Sequence, residues 1–328
     1  MTDPVRWGIL GTANFALEQM APAIHAARGA QLSALATSSP SKAAAFEAFA
    51  PGIKVHTSYD ALLADPEIDA VYIPLPNHLH VEWTKKTLEA GKHVLTEKPI
   101  AMKAEEIDAL IAARDASGLL AAEAYMIVHH PQWQLARKLY RDGAIGALTH
   151  VEGMFTYDNR SDAANIRNRP ETGGGGIPDI GVYTYGSTRW FTGQEPVAIT
   201  HADVDFENGV DVLSRVSARF DGFTAHWLNS MRMHPIQDMI FIGDAGVIKL
   251  FAPFNANVFG PAIVELHQVR DGRFTVTVER FPSANHYINQ VEAFGRSIRD
   301  GEAYPWTLED ARGTQAVIDA VFAKARAS

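Results

Sequence analysis

Cysteine is absent from all 328 residues. That absence removes disulfides, thiolate nucleophiles and cysteine-held zinc together. Long hydrophobic runs are missing too. No stretch approaches the roughly 20 apolar residues that a membrane-crossing helix needs. There is no block of like charge, although 38 acidic residues outnumber 29 basic ones and give a formal charge of −9. An acidic surface of that kind argues against nucleic acid or an anionic membrane as partner. Internal repeats and low-complexity tracts are lacking. The opening Met1-Thr2-Asp3-Pro4-Val5-Arg6-Trp7 has no charged leader with an apolar stretch and cleavage site, so a cytoplasmic protein is expected.

What is there suits an ordinary globular chain, 47% hydrophobic and 20% charged, with length enough for two domains. Apolar runs at Val5–Leu10, Leu32–Thr37, Ala70–Pro74, Val94–Thr96 and Leu119–Ala124 read as strands buried on both faces. Alanine-rich helical stretches lie between them: Phe15–Ala27, Ser41–Phe49, His80–Ala90 and Ala104–Ala116. Gly29 and Gly91 stand where two of these helices stop. The alternation predicts an α/β fold, a doubly wound parallel sheet with helices on both faces.

The pattern changes after Pro131. His150–Tyr157, Val197–Phe206, Val212–Phe220, Thr224–Met231, Met239–Ile242, Val247–Leu250, Ile263–Val269 and Arg273–Phe281 read as successive strands. Asp221-Gly222 and Asp271-Gly272 suit hairpin turns. Several strands alternate in polarity, which predicts a large, mostly antiparallel sheet with one open face. Helices over Tyr287–Arg299 and Leu308–Lys324 close the chain. The expected domains are 1–124 and 125–328.

Three stretches carry chemistry. The first strand runs into Gly8-Ile9-Leu10-Gly11-Thr12-Ala13-Asn14-Phe15-Ala16. Glycine at such a turn lets backbone N–H groups approach a pyrophosphate at the next helix's positive end. Ala13 stands where a second glycine is usual. After the second strand comes Ala36-Thr37-Ser38-Ser39-Pro40-Ser41-Lys42, with no acid before Glu47. An acid there would suit the ribose hydroxyl of NAD; hydroxyls and a lysine suit the 2′-phosphate of NADP. NADP is therefore the expected cofactor, ahead of NAD. The bland alternative is a Ser-Pro helix cap with Lys42 in solvent.

The third is a trio. Lys98, in Glu97-Lys98-Pro99, follows a buried parallel strand, at the edge where open α/β sheets bind ligands. Asp179 and Tyr183, in Gly174-Gly175-Gly176-Ile177-Pro178-Asp179-Ile180-Gly181-Val182-Tyr183, are four apart and should share a helix face. The glycines ahead of them are expected to leave room for a flat ligand. A tyrosine moves a hydroxyl proton when a neighbouring ammonium favours its phenolate. At about 4 Å and an effective dielectric near 20 that attraction is on the order of 4 kcal/mol before desolvation. Lys98 is expected to supply it, with Asp179 orienting a substrate hydroxyl. Each has a plain alternative: a dipole-complementing acid, a packed phenol, a solvated loop charge.

These stretches, with Pro74-Leu75-Pro76-Asn77-His78-Leu79-His80, resemble the glucose–fructose oxidoreductase/inositol dehydrogenase family (Gfo/Idh/MocA) over nearly the whole chain. Ile180-Gly181-Val182-Tyr183 and Gly186-Ser187-Thr188-Arg189-Trp190-Phe191 are similar to its branch of glucose–fructose oxidoreductase, D-xylose dehydrogenase and dihydrodiol dehydrogenase. The resemblance implies a Rossmann domain and a C-terminal α/β domain whose open sheet face forms a homo-oligomer, dimer or tetramer. It makes Lys98, Asp179 and Tyr183 catalytic. It puts Gly11, Thr12, Ala13, Asn14 and Phe15 at the pyrophosphate and Thr37, Ser38 and Lys42 at the adenosine ribose. Leu75, Pro76, Asn77 and Glu97 go near the nicotinamide ribose, and His80 and Lys98 are further cofactor-binding residues. Tyr125, Arg167 and Arg169 are substrate candidates, the arginines because Val128 stands where relatives often have arginine. The activity implied is NADP-dependent oxidation or reduction of a sugar or polyol, as in an aldose 1-dehydrogenase. A trans-dihydrodiol dehydrogenase, a sugar–sugar oxidoreductase that retains its cofactor, and a non-catalytic nucleotide-binding sensor are the alternatives. His78, His80, His129 and His130 lack partners at ligand spacing, so no metal site is expected. No serine nucleophile elbow is present either.

Overall fold

Strands that must be apolar on both faces end up side by side. In a computed structural model, which describes residues 3–327, the chain folds as two units. Met1, Thr2 and Ser328, at the outer ends of the two expected domains, lie outside the described residues. One unit runs up to His129 and takes back His286–Arg312; the other comprises His130–Asn285 and the chain from Gly313.

The first unit carries β1 (Val5–Leu10), β2 (Ala30–Ala36), β3 (Lys54–His56), β4 (Ala70–Ile73), β5 (His93–Thr96) and β6 (Ala121–Glu123). Between them run α1 (Ala21–Ala26), α2 (Pro40–Phe49), α3 (Tyr59–Leu63), α4 (His80–Glu89) and α5 (Ala104–Ser117). The sheet order is β3-β2-β1-β4-β5-β6, with every neighbouring pair parallel. This is the doubly wound order whose direction reverses between β1 and β4. All of β4 and β6 is buried, which is why Ala70–Ile73 reads as an unbroken apolar run. β3 and α3 were not among the expected elements. They are three and five residues long, too short to show a period.

In the second unit α6 (Pro131–Arg141) precedes β7 (Leu148–Asp158), and α7 (Val182–Thr192) precedes β8 (Ala198–Glu207), β9 (Val210–Arg219) and β10 (Thr224–Ser230). β11 (Arg232–Gly243), β12 (Gly246–Phe251), β13 (Ile263–Arg270) and β14 (Arg273–Arg280) follow. They form one sheet, ordered β14-β13-β12-β11-β7-β10-β9-β8, antiparallel except where β10 joins β7. One face packs under the two helices. Trp133 of α6 meets Phe241 and Phe254 edge-on or stacked, and Phe191 of α7 stacks on Phe241 at 3.6 Å. The other face carries Ile240, Lys249 and Glu265, a row fixed by strand register.

The last helices are α8 (His286–Asp300) and α9 (Leu308–Ala327). The expected boundary gave all of this segment to the second domain, yet residues 286–312 belong to the first unit. Phe294 packs on Trp7 at 5.1 Å, Arg312 pairs with Asp108, and Leu308 and Ala311 join the core around β4 and β5. Among the described residues no helix is long and apolar enough to cross a membrane.

Candidate active site

The carboxyl ends of β1, β2, β4 and β5 place four of the expected segments along one edge of the first sheet. At β1, Gly11 has φ +89°, and a β-carbon there would stand 3.1 Å from Leu75 and 3.2 Å from the Tyr59 hydroxyl. Only glycine fits. Thr12 and Ala13 are half-buried and Asn14 is exposed, so this turn's backbone is open to a phosphate. Phe15 lies edge-on to Tyr287 at 5.5 Å. The helix then opens as a single π-turn, Ala16–Met20, a distortion frequent at functional sites.

At β2, Thr37 is buried and its Oγ1 accepts the Ser39 N–H at 3.1 Å. Ser39 Oγ lies 3.1 Å from Ser41 Oγ and makes no cap bond to α2. The plain Ser-Pro cap is thus not what these hydroxyls form. Ser38 and Lys42 are exposed beside them. A dinucleotide carrying a 2′-phosphate fits this edge: a glycine turn at the end of β1, hydroxyls and an ammonium, with no carboxylate at the end of β2.

Beyond β4, Pro76 and Asn77 are half-buried at a short 3-10 turn, Asn77–Leu79. His80 is wholly buried, with its ring nitrogens 2.7 Å from the Leu75 carbonyl and 2.8 Å from that of Pro99. Burial pushes its pKa down to about 4 against the pull of the two carbonyls. The histidine assigned to the cofactor is therefore neutral and buried between two loop carbonyls, to one of which its single N–H can donate. Past β5, Glu97 accepts the Tyr72 hydroxyl at 2.6 Å, and both Glu97 and Lys98 are half-buried. The Lys98–Pro99 bond is cis.

Behind that loop stands Glu123, which sequence reasoning passed over. It is 2% exposed and accepts the Ile100 N–H and the Trp306 indole N–H, each at 2.9 Å. Burial pushes its carboxyl up to about 7; the two donors oppose this, Glu97 adds to it, and Lys98 opposes it. Tyr125, expected at the substrate, is buried and stacked on Trp306 at 4.1 Å. Its ring face is committed to packing. Val128, at the position where an arginine was missed, is buried in the turn Met126–His129.

In the second unit, Asp179 does not sit in a plain α-helix. Ile177–Gly181 is a second π-turn leading into α7. Asp179 lies within this wider turn, and Tyr183 follows it in the first turn of α7. Asp179 is 9% exposed; the Tyr157 hydroxyl donates to it at 2.7 Å and Arg167 Nε lies 2.9 Å away. Arg167, proposed for the substrate, is thus first a partner of Asp179. Attraction to Asp179 raises its pKa further, and Tyr157 and Tyr183 act in the same sense. The Tyr157 phenol, missed in the sequence, is pushed up by burial and then by Asp179. Tyr183 is 6% exposed between Phe254 and Phe155, with ring centres 5.5 and 5.8 Å away. Arg169 pairs with Glu171 on the exposed surface.

The glycine run has another purpose than the one expected. A β-carbon on Gly175 (φ +128°) would fall 2.1 Å from Asp211 Oδ1, and one on Gly174 would fall 2.5 Å from the Arg167 carbonyl oxygen. Protein atoms, not an open slot, fill the space beside these glycines.

A family model described as "Oxidoreductase family, NAD-binding Rossmann fold" matches residues 5–125, and "GFO/IDH/MocA C-terminal domain" matches 133–249. An uncharacterized oxidoreductase (ORF334) of Rhizobium meliloti is 37% identical over 97% of this chain and 96% of its own length. D-xylose 1-dehydrogenase (NADP(+)) 2 of Haloferax volcanii is 32% identical, covering 97% of each chain. Among solved structures, the 3-ketoreductase KijD10 of Actinomadura kijaniata, in complex with NADP and TDP-benzene, superposes with a TM-score of 0.88 at 29% identity, covering 98% of each chain.

Proposed function

Because the chain belongs to the GFO/IDH/MocA family of oxidoreductases, we propose that it moves a hydride between NADP and a hydroxyl or carbonyl of a sugar or polyol. The observation that carries this reading is the switch point of the first sheet. Gly11, Thr37 and the Glu97-Lys98 pair all stand at the carboxyl ends of its strands, where open α/β sheets take a dinucleotide. The end of β2, with its hydroxyls and Lys42 and no acid, favours NADP over NAD. The xylose dehydrogenase and the ketoreductase, both named with NADP, support the same choice.

The bound nicotinamide supplies the hydride or accepts it. The chain's own residues would do the rest. Tyr183 gives or takes the hydroxyl proton, Lys98 supplies positive charge for the phenolate form, and Asp179 orients the substrate hydroxyl. Arg167 and Tyr157 hold the Asp179 carboxylate in place. An aldose acted on at C1 is the first substrate class. A ketosugar carried on a nucleotide is the second, on the likeness to the ketoreductase solved with TDP-benzene. Homo-oligomers through the open sheet face are part of the same reading.

The test is absorbance at the reduced-nicotinamide band with purified protein, NADP or NADPH, and a panel of aldoses, polyols, dihydrodiols and dTDP-linked ketosugars. Turnover on one class is expected. Cofactor binding with no turnover on any of them points to a sensor on the same fold and counts against an enzyme.

A further inference from the structure

Asp211 lies outside the proposed trio, yet it is built into the turn that carries two of its members. Its carboxylate is 3% exposed at the start of β9 and accepts the Ile177 N–H at 2.5 Å. The Gly176 amide and its own also turn toward it. The glycines opposite make this approach possible: a β-carbon on Gly175 would overlap Oδ1, and one on Gly176 would lie 3.3 Å from Oδ2. The segment gripped in this way is the π-turn Ile177–Gly181, which holds Asp179 and delivers Tyr183 one residue after α7 begins.

We propose that Asp211 is a positioning residue of the active site, whose carboxylate binds the amides at the mouth of this π-turn and so fixes where Asp179 and Tyr183 stand. The proposal rests on the functional reading of those two residues given above. A neutral serine or asparagine would cap a turn at far smaller desolvation cost than a buried carboxylate. Charge at this place also reaches the site, because Asp179 and Asp211 act on one another. The other groups that face it are the Tyr185 phenol of α7, which feels its charge, and, across Asp179, Arg167 and Tyr157. Burial pushes the Asp211 carboxyl up to about 7, so the closed turn favours its protonated form and loosens as pH rises through 7.

The test joins hydrogen exchange to kinetics in wild type and Asp211→Asn. Asparagine keeps the volume but turns an N–H₂ toward one of the amides. Exchange in residues 174–183 should rise by about tenfold while other strands of the second unit hold, because one acceptor for the turn's amides is lost. NADPH affinity should stay within twofold, kcat should fall by roughly tenfold or more with KM changing less, and the primary deuterium isotope effect should grow as hydride transfer becomes limiting. Unchanged exchange overturns the grip on the turn. Raised exchange with unchanged kcat and isotope effect overturns its role in the site. Wild type tests the same claim without any substitution: exchange in 174–183, corrected for the intrinsic pH dependence, should rise as pH climbs through 7, and a flat profile contradicts the proposal. Absence of turnover in wild type counts against the proposed function, while exchange still decides whether Asp211 holds the turn.

Discussion

At the scale of residues, replacing Tyr183 by phenylalanine isolates one atom. The ring keeps its stacking against Phe155 and Phe254, and only the hydroxyl goes. Turnover should fall on the order of 10²–10⁴-fold, the usual contribution of a positioned acid or base, with NADPH affinity unchanged in a fluorescence titration. Turnover within threefold of wild type removes Tyr183 from the chemistry. Gly175→Ala meets both a φ of +128° and Asp211. It should lower unfolding free energy by roughly 2 kcal/mol or more, read by urea titration; a neutral result means the turn relaxes freely. Lys98, Asp179 and Tyr183 stood out in the sequence because their spacing around glycines and a strand end is unusual. Tyr157, Asp211 and Glu123 did not. They act on Asp179, on the π-turn and on the Lys98 loop from distant strands, and a lone Tyr, Asp or Glu at a strand end carries no local pattern.

At the scale of elements, alternation and burial made the sequence readable. All eight strands of the second sheet were expected, seven of them within a few residues and β11 without its first seven, because period two persists even at an exposed edge such as β14. The π-turns were not, since one extra residue in a turn leaves the apolar pattern unchanged. The loop after β5 is held by Glu123, whose raised carboxyl makes stability depend on pH. The unfolded side chain loses its proton near the ordinary 4.5, the folded one near 7. Between those values the native state binds the extra proton, so its stabilising effect is complete below about 4.5 and is lost as pH rises through 7. The size is on the order of 3 kcal/mol. Glu123→Gln should flatten the dependence of the melting temperature between pH 5 and 8. It should also lower that temperature at pH 5, since glutamine offers one acceptor to two N–H donors. An unchanged slope would clear Glu123 of this role.

At the scale of the whole molecule, length and composition predicted two domains split at residue 124, and the chain folds as two units that divide it differently. Residues 286–312 return to the first unit through contacts such as Phe294 with Trp7, which only folding reveals. The second sheet leaves Phe274 79% exposed and Val269 and Val276 also outside, apolar surface that a second copy would cover. Phe274→Asp with Val276→Lys should shift the protein toward monomer in sedimentation equilibrium; an unchanged association state excludes this face. The most direct measurement of the central claim is the binding of reduced nicotinamide cofactors, followed by fluorescence. NADPH is expected to bind roughly tenfold tighter than NADH, a difference of about 1.4 kcal/mol, and Lys42→Ala is expected to erase most of that preference. Tighter binding of NADH would contradict the NADP assignment, and binding of neither would contradict the dinucleotide reading of the first sheet.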